Sequence, residues 1–288
     1  MYPPLSEWSF SWVTTIAGYK RLYTGLDVAS IVVILLLLAA RKQPLQSVLM
    51  YAWNPSVVVA FAMCGHHDAL AILTLLAANL LIIAKRGSAS IALLALSFLS
   101  KFYAALLVPA FLKRTRRAYA GLFAAVVLLG YAPYASAGRK LFDGLSQYAA
   151  GWENNDSAFR LLLLAGNSRA QAGLLAGVCV AALLLLVQKR RMEPLQASFL
   201  LIAGLLILSP NAFPWYFTWS IPFLCFYPSR AWLLMSVTCV LGYAPVVAYT
   251  AGGSYQDSPL MLILEYAPVF AWLAWQAWRG WEREVPET

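Results

Sequence analysis

Gly65-His66-His67-Asp68 holds both histidines of the chain next to one of its few carboxylates. An imidazole pair beside an aspartate can serve several chemistries. Asp68, oriented by a histidine, can act as a general base. His66 and Asp68 lie within one helical turn, so they can ligate a divalent metal. Two histidines at a helix N-terminus can bind phosphate, helped by free N–H groups and the helix dipole. Asp68 can also simply cap the helix that begins there.

Other polar residues stand alone in apolar surroundings. Lys101, in Leu99-Ser100-Lys101-Phe102-Tyr103, puts a point charge suited to phosphate inside an apolar stretch, with snorkelling to the interface as the bland alternative. Asn54-Pro55 interrupts one apolar run, and Ser209-Pro210-Asn211 interrupts another. Trp215 and Tyr216 follow that second break; aromatics with a polar handle stack on sugars and also populate interfaces. Trp152, Asn155 and Arg160 lie in a polar stretch that can line a polar-substrate pocket. Glu265 places a carboxylate within the last apolar run and needs a partner, for which Lys101 and Arg160 are candidates.

The elements that position these residues follow from composition. The chain is 61% apolar and 11% charged, with a mean hydropathy of +0.69. A soluble domain would be about 45–50% apolar and about 25% charged, so the sequence predicts an integral membrane protein. The runs are continuous rather than alternating, which argues for helices over a β-barrel. The expectation is an all-α, polytopic transmembrane bundle of about 8–10 membrane helices, short and broken ones included. It forms a single domain over 1–288, with 137–168 as an outer loop. A net charge of +9 belongs to cytoplasmic loops rather than to a nucleic-acid surface. Cys64, Cys179, Cys225 and Cys239 form no CxxC pair and read as small buried hydrophobes. No P-loop, GxGxxG, HExxH or GxSxG pattern occurs, so neither ATP-driven transport nor soluble-type nucleotide-sugar binding has support.

The spans run over about 24–40, 45–63, 68–84, 88–112 (broken at Lys101), 118–136, 170–187, 196–227 (broken at Asn211), 231–250 and 258–278. Arg41, Lys85, Lys113, Arg117, Arg190, Arg230 and Arg283 fall on the cytoplasmic side, which then carries roughly twice the basic residues of the other. His66, His67, Lys101 and Asn211 share the outer side, where broken backbone is tolerated if it lines a wet cavity. Met1 would then start outside, with no preceding span to carry it there. Either the first span inserts as a reverse anchor, or the chain lacks a first helix and a first outer loop; the second is the expectation.

The order "YPPL", "LMYAWNPSVV", "GHHDAL", "LSKFYAALLVPAFL" and "SPNAFPWYFTWSIPFL" resembles the GT-C membrane glycosyltransferases. It is most similar to their polyprenol-phosphate-mannose-dependent, mannosyltransferase-like branch, and "WENNDSAFRLLL" and "LEYAPVF" extend the likeness. The resemblance implies a GT-C-like fold. It also implies an enzyme that moves a hexose, mannose by this branch, from a polyprenyl-phosphate donor to a glycan or lipid acceptor at the outer membrane face. Lys101, His66 and His67 match the donor-phosphate ligands by position. Asn54, Asn211, Trp215, Tyr216, Trp152, Asn155, Arg160 and Glu265 are the substrate-binding candidates. The family's catalytic carboxylate would fall upstream of Met1; Asp68 is the local candidate if the chain is complete. No cofactor is called for, and a divalent metal finds no partner motif. Membrane lipids are the other partners, and a bacterial plasma membrane and cell-envelope role are expected. A transporter or flippase of polyprenyl-linked glycans is the main rival, since broken helices suit transporters. A non-catalytic membrane subunit is the other.

Overall fold

The computed structural model describes residues 2–284, so Met1 and the side chain of Arg283 lie outside the described residues. Among the described residues the protein is 79% helical with no strand, as suits a lipid-embedded chain whose backbone polar groups find no water. Among the described residues, five helices are long and apolar enough to cross a membrane, and a bent pair makes a sixth candidate.

Helices α1 (Pro4–Phe10) and α2 (Ile16–Ala40) open the fold. The 25 residues of α2 reach about 37 Å at 1.5 Å per residue, longer than the ~30 Å hydrocarbon core. The Oγ1 of Thr15 accepts from the Gly18 N–H at 3.0 Å and sets where α2 begins. Next comes the bent pair α3 (Leu45–Ala52) and α4 (Pro55–Met63), meeting at 57°. Pro55 has no N–H to continue α3, and Asn54 before it is extended at φ −70°, ψ 123°. The side chain of Asn54 closes the break: Oδ1 accepts from the Ser56 N–H at 3.1 Å, and Nδ2 donates to Ser236 Oγ at 2.7 Å.

Helices α5 (Asp68–Ile83) and α6 (Gly87–Ser100) form an antiparallel hairpin, with α5 packed between α2 and α6. Ala69, Ala71 and Ala78 on α5 are fully buried, so small side chains let these helices approach closely. Helix α6 stops at Ser100 because Lys101 is extended (φ −150°, ψ 131°). The Ser100 carbonyl freed at that end accepts from Ser6 Oγ of α1 at 2.9 Å. A 3₁₀ turn over Phe102–Leu107 leads into α7 (Val108–Arg114).

Helix α8 (Tyr119–Tyr131) has no buried residue and continues through a kink at Gly138 into α9 (Asp143–Gly151). Short α10 (Ala158–Leu164) precedes α11 (Arg169–Lys189), which starts with a Ser168/Gln171 capping box and exposes most of its apolar surface. Helix α12 (Pro194–Leu208) ends at extended Ser209, ahead of Pro210. The chain then makes a 3₁₀ turn over Pro214–Trp219 and finishes with α13 (Arg230–Thr250) and α14 (Pro259–Glu284). Both expected breaks are present and most expected spans match an observed element within a few residues, but α2 begins at Ile16, eight residues before the expected start, and the helical run from Tyr119 continues to Gly151, into the expected 137–168 loop.

The two ends of the bundle differ. At one end Arg41 donates both guanidinium Nη groups to Glu193 at 2.7 Å, and Lys113 and Arg114 donate to the Gln188 and Arg191 carbonyls that close α11. At the other end, Gly65 packs against the backbone of Lys20 near the start of α2. The candidate chemistry gathers there.

Candidate active site

The histidine pair sits where α4 turns into α5. Gly65 adopts φ +72°, a left-handed value that a side chain would strain, and reverses the chain. His66 then stacks flat on Trp215, with centroids 4.3 Å apart and planes at 16°. His67 points the other way, edge-on to Tyr2 (4.6 Å) and Phe10 (5.4 Å). Asp68 starts α5 but its side chain does not cap the helix; it is drawn inward to other partners.

Those partners are Lys101 and Trp219. Lys101 Nζ lies 3.2 Å from Asp68 Oδ1, and Trp219 Nε1–H donates to the same oxygen at 2.7 Å. Asp68 is wholly buried and Lys101 is 9% exposed, so this is a desolvated ion pair. The ammonium also lies over the rings of Tyr216 (4.9 Å), Tyr2 (5.6 Å) and Trp219 (5.6 Å), within cation–π reach. The extended backbone at Lys101 makes this possible: had α6 continued, the residue would have kept a helical direction along α6.

Burial pushes the His67 imidazole down to about 3, with the Lys101 charge adding to the shift and Asp68 opposing it. Burial lowers His66 as well, again assisted by Lys101. Both rings are neutral near pH 7. His67 Nδ1 stands 3.9 Å from Asp68 Oδ2, too far for a hydrogen bond, and with a neutral ring this is no ion pair. Two polar atoms are left without partners here, His67 Nε2 and Asp68 Oδ2.

Lys101, His66, His67, Asn211, Trp152, Trp215 and Tyr216 all line one cavity of about 630 Å³. The fold therefore brings seven of the sequence-derived candidates together. Asp68 lies directly behind its wall. A small pocket beside it shares Tyr2 and Phe102 with this cavity, and Pro4 and Tyr134 with an apolar groove of about 550 Å³ between α1, α6 and α8, lined by Leu5, Trp8, Leu96, Leu99, Val126 and Leu129.

Asn54, Asn155, Arg160 and Glu265 do not line the cavity. Asn54 holds the α3–α4 break, as described above. Asn155 is 1% exposed and ties its segment down: Nδ2 donates to the Ala212 carbonyl and to Glu265 Oε1, both at 2.9 Å. Asn155 N–H donates to Asp257 Oδ2 at 2.8 Å, and Tyr266 hydroxyl donates to the Asn155 carbonyl at 2.7 Å. The partner of Glu265 is thus Asn155, not Lys101 or Arg160. Lys101 is committed to Asp68, and Arg160 pairs with Asp156 (3.0 Å) and Glu153 (3.8 Å). The segment is pinned further by a parallel bridge, in which Asn154 N–H donates to Pro210 O and Ala212 N–H to Asn154 O, each at 3.0 Å.

Tyr2, Tyr103 and Tyr148 also belong to the cavity without being candidates from the sequence, whereas Phe213 and Trp219 lie in the aromatic stretch from Asn211 that the sequence marks. Trp219 had a usable signal: it sits three residues after Tyr216 in an aromatic turn, and the two rings stack at 4.3 Å. Tyr148 had none, since its place depends on how α9 folds back. Among the described residues no three His, Cys, Asp or Glu side chains converge as a metal site.

Residues 156–279 match the family model for the MptB C-terminal domain. The match fits a mannosyltransferase-like family and supports a glycosyltransferase at a coarse level. No curated protein and no solved structure matches the chain. The MptB-like segment supplies Asn211, Trp215, Tyr216 and Trp219 to the cavity, while His66, Lys101 and Trp152 come from the unmatched part.

Proposed function

We propose that this membrane protein transfers a hexose, mannose by its mannosyltransferase-like segment, from a polyprenyl-phosphate donor to a glycan or lipid acceptor at the outer membrane face. The observation that supports this reading is a buried cation, Lys101, at the wall of a polar–aromatic cavity, with an apolar groove close by on the other side of Tyr2, Pro4 and Phe102. A lipid-phosphate sugar has three parts with the same order of chemistry: an apolar tail, an anion and a sugar. The groove between α1 and α8 suits the tail, Lys101 the phosphate, and the aromatic chamber the sugar.

In the transfer, the bond between the anomeric carbon and the phosphate oxygen breaks, and its electron pair leaves on the phosphate. The acceptor hydroxyl oxygen forms the new bond to that carbon. Lys101 stabilises the charge that grows on the leaving phosphate, and it does so in a dry site where a cation counts for more than in water. Neutral His66 and His67 serve as hydrogen-bond donors to the same group rather than as charges. The released phosphate monoester, with a second pKa of about 6, takes the acceptor's proton. Asp68 is a positioning carboxylate in this reading: it is engaged by Lys101 and Trp219 and holds the cation at the wall.

The test is transfer by the purified protein in liposomes. Labelled polyprenyl-phosphate mannose should yield labelled acceptor, and the soluble nucleotide sugar should yield none. Transfer from the nucleotide sugar with equal efficiency would overturn the lipid-phosphate assignment.

A further inference from the structure

The cavity has a second end, away from Lys101, that the donor does not account for. Trp152 is there, 54% exposed yet part of the cavity lining. A tryptophan that merely belonged to an interfacial belt would need no fixed backbone. This one is held: its carbonyl accepts from Asn211 Nδ2 at 2.7 Å and from Arg169 Nη2 at 2.9 Å. Asn211 is 3% exposed and also lines the cavity, and its Oδ1 has no partner. A desolvated amide oxygen left unmatched costs free energy unless a ligand donates to it. The groups form a continuous track toward the cation. The Tyr148 ring lies 5.8 Å from Trp152, the Tyr148 hydroxyl lies 3.4 Å from that of Tyr216, and the Tyr216 ring lies 4.9 Å from Lys101 Nζ.

A half-exposed indole on a rigid backbone, next to an unmatched amide acceptor, suits a molecule with an apolar C–H face and hydroxyl donors. That is a saccharide. We infer that Trp152, Asn211 and Tyr148 form a saccharide subsite for the acceptor, at the opposite end of the cavity from the Lys101 phosphate site. The inference deepens the glycosyltransferase reading and rests on it for the word acceptor. It also fixes the order of the reaction along the track, with the leaving phosphate at Lys101 and the attacking hydroxyl arriving from the Trp152 side.

Binding of methyl glycosides needs no donor and so tests the subsite separately. The full chain in detergent micelles would be titrated with the methyl glycosides of mannose, glucose, galactose and arabinose, followed by saturation-transfer NMR. We expect saturable binding of at least one glycoside, about tenfold weaker in Trp152→Ala and within about threefold of wild type in Trp152→Phe, the size of one lost stacking contact. No glycoside binding by wild type, or equal binding by Trp152→Ala, would overturn the subsite. Trp152-dependent glycoside binding in a protein that transfers nothing from a lipid-phosphate donor would instead sink the donor reading and leave the subsite standing.

Discussion

The Asp68–Lys101 pair permits a sharp separation of folding from function. Both groups are desolvated, at 0% and 9% exposure, and 3.2 Å apart. Removing one partner of such a pair leaves an uncompensated buried charge, at a cost of about 3–5 kcal/mol, whereas replacing both with neutral groups of similar volume is close to neutral. Lys101→Met should therefore destabilise by about 3 kcal/mol or more, and Lys101→Met/Asp68→Asn by roughly 1 kcal/mol or less, a coupling of at least ~2 kcal/mol. Trp219 can still donate to the amide oxygen of the asparagine, which keeps the double variant packed. A solvent-screened pair would couple by less than about 1 kcal/mol. The assay is reversible unfolding in mixed micelles for wild type, both single variants and the double variant. Transfer is then measured on the folded fraction. Loss of a charge-assisted hydrogen bond to the phosphate, about 1.5–3 kcal/mol, predicts a fall in kcat/KM of roughly 10- to 100-fold. That fall should persist in the double variant even as its stability returns. Additive stability effects would refute the buried pair, and recovery of transfer in the double variant would refute the phosphate role of Lys101.

Three further outcomes follow from the same geometry. His67 is held at about 3 by burial, below the unfolded value of about 6.5. Its contribution to stability is complete above that unfolded value and is lost as pH falls from there toward 3, because the unfolded chain then binds the extra proton. Thermal unfolding should show this acid limb, flattened in His67→Gln. Asn155→Ala strands Glu265 and the Ala212 carbonyl and should cost about 1–3 kcal/mol for the unmatched groups, seen as faster proteolysis of the segment between α9 and α10. Gly242→Ala would bring a methyl within 2.8 Å of Asn155 Nδ2 and 3.0 Å of Pro214 Cγ. Overpacking of this kind costs about 1–3 kcal/mol and should lower the unfolding temperature, with no such loss for Gly121→Ala, which meets nothing within 4 Å.

Composition and local chemistry by themselves determined the membrane class, the spans and the places where they break. Apolar run length sets what can cross a bilayer. Pro55 and Pro210 break helices through missing N–H groups, whatever the rest of the fold does. The Gly65-His66-His67-Asp68 turn was also legible, because a polar cluster between apolar runs has few places to go. Which polar groups share a cavity was decided only by tertiary structure. Asp68 and Lys101 are 33 residues apart, and Trp219 lies a further 118 along the chain; nothing local pairs them. Asn155 and Glu265 looked like pocket residues from their types alone, yet each is spent on the other, because the segment around Asn154 folds onto the break after α12. Local backbone preferences are properties of neighbours in sequence. The partner of a buried polar group is settled by which helices stack, and every such group takes the nearest match once water is gone.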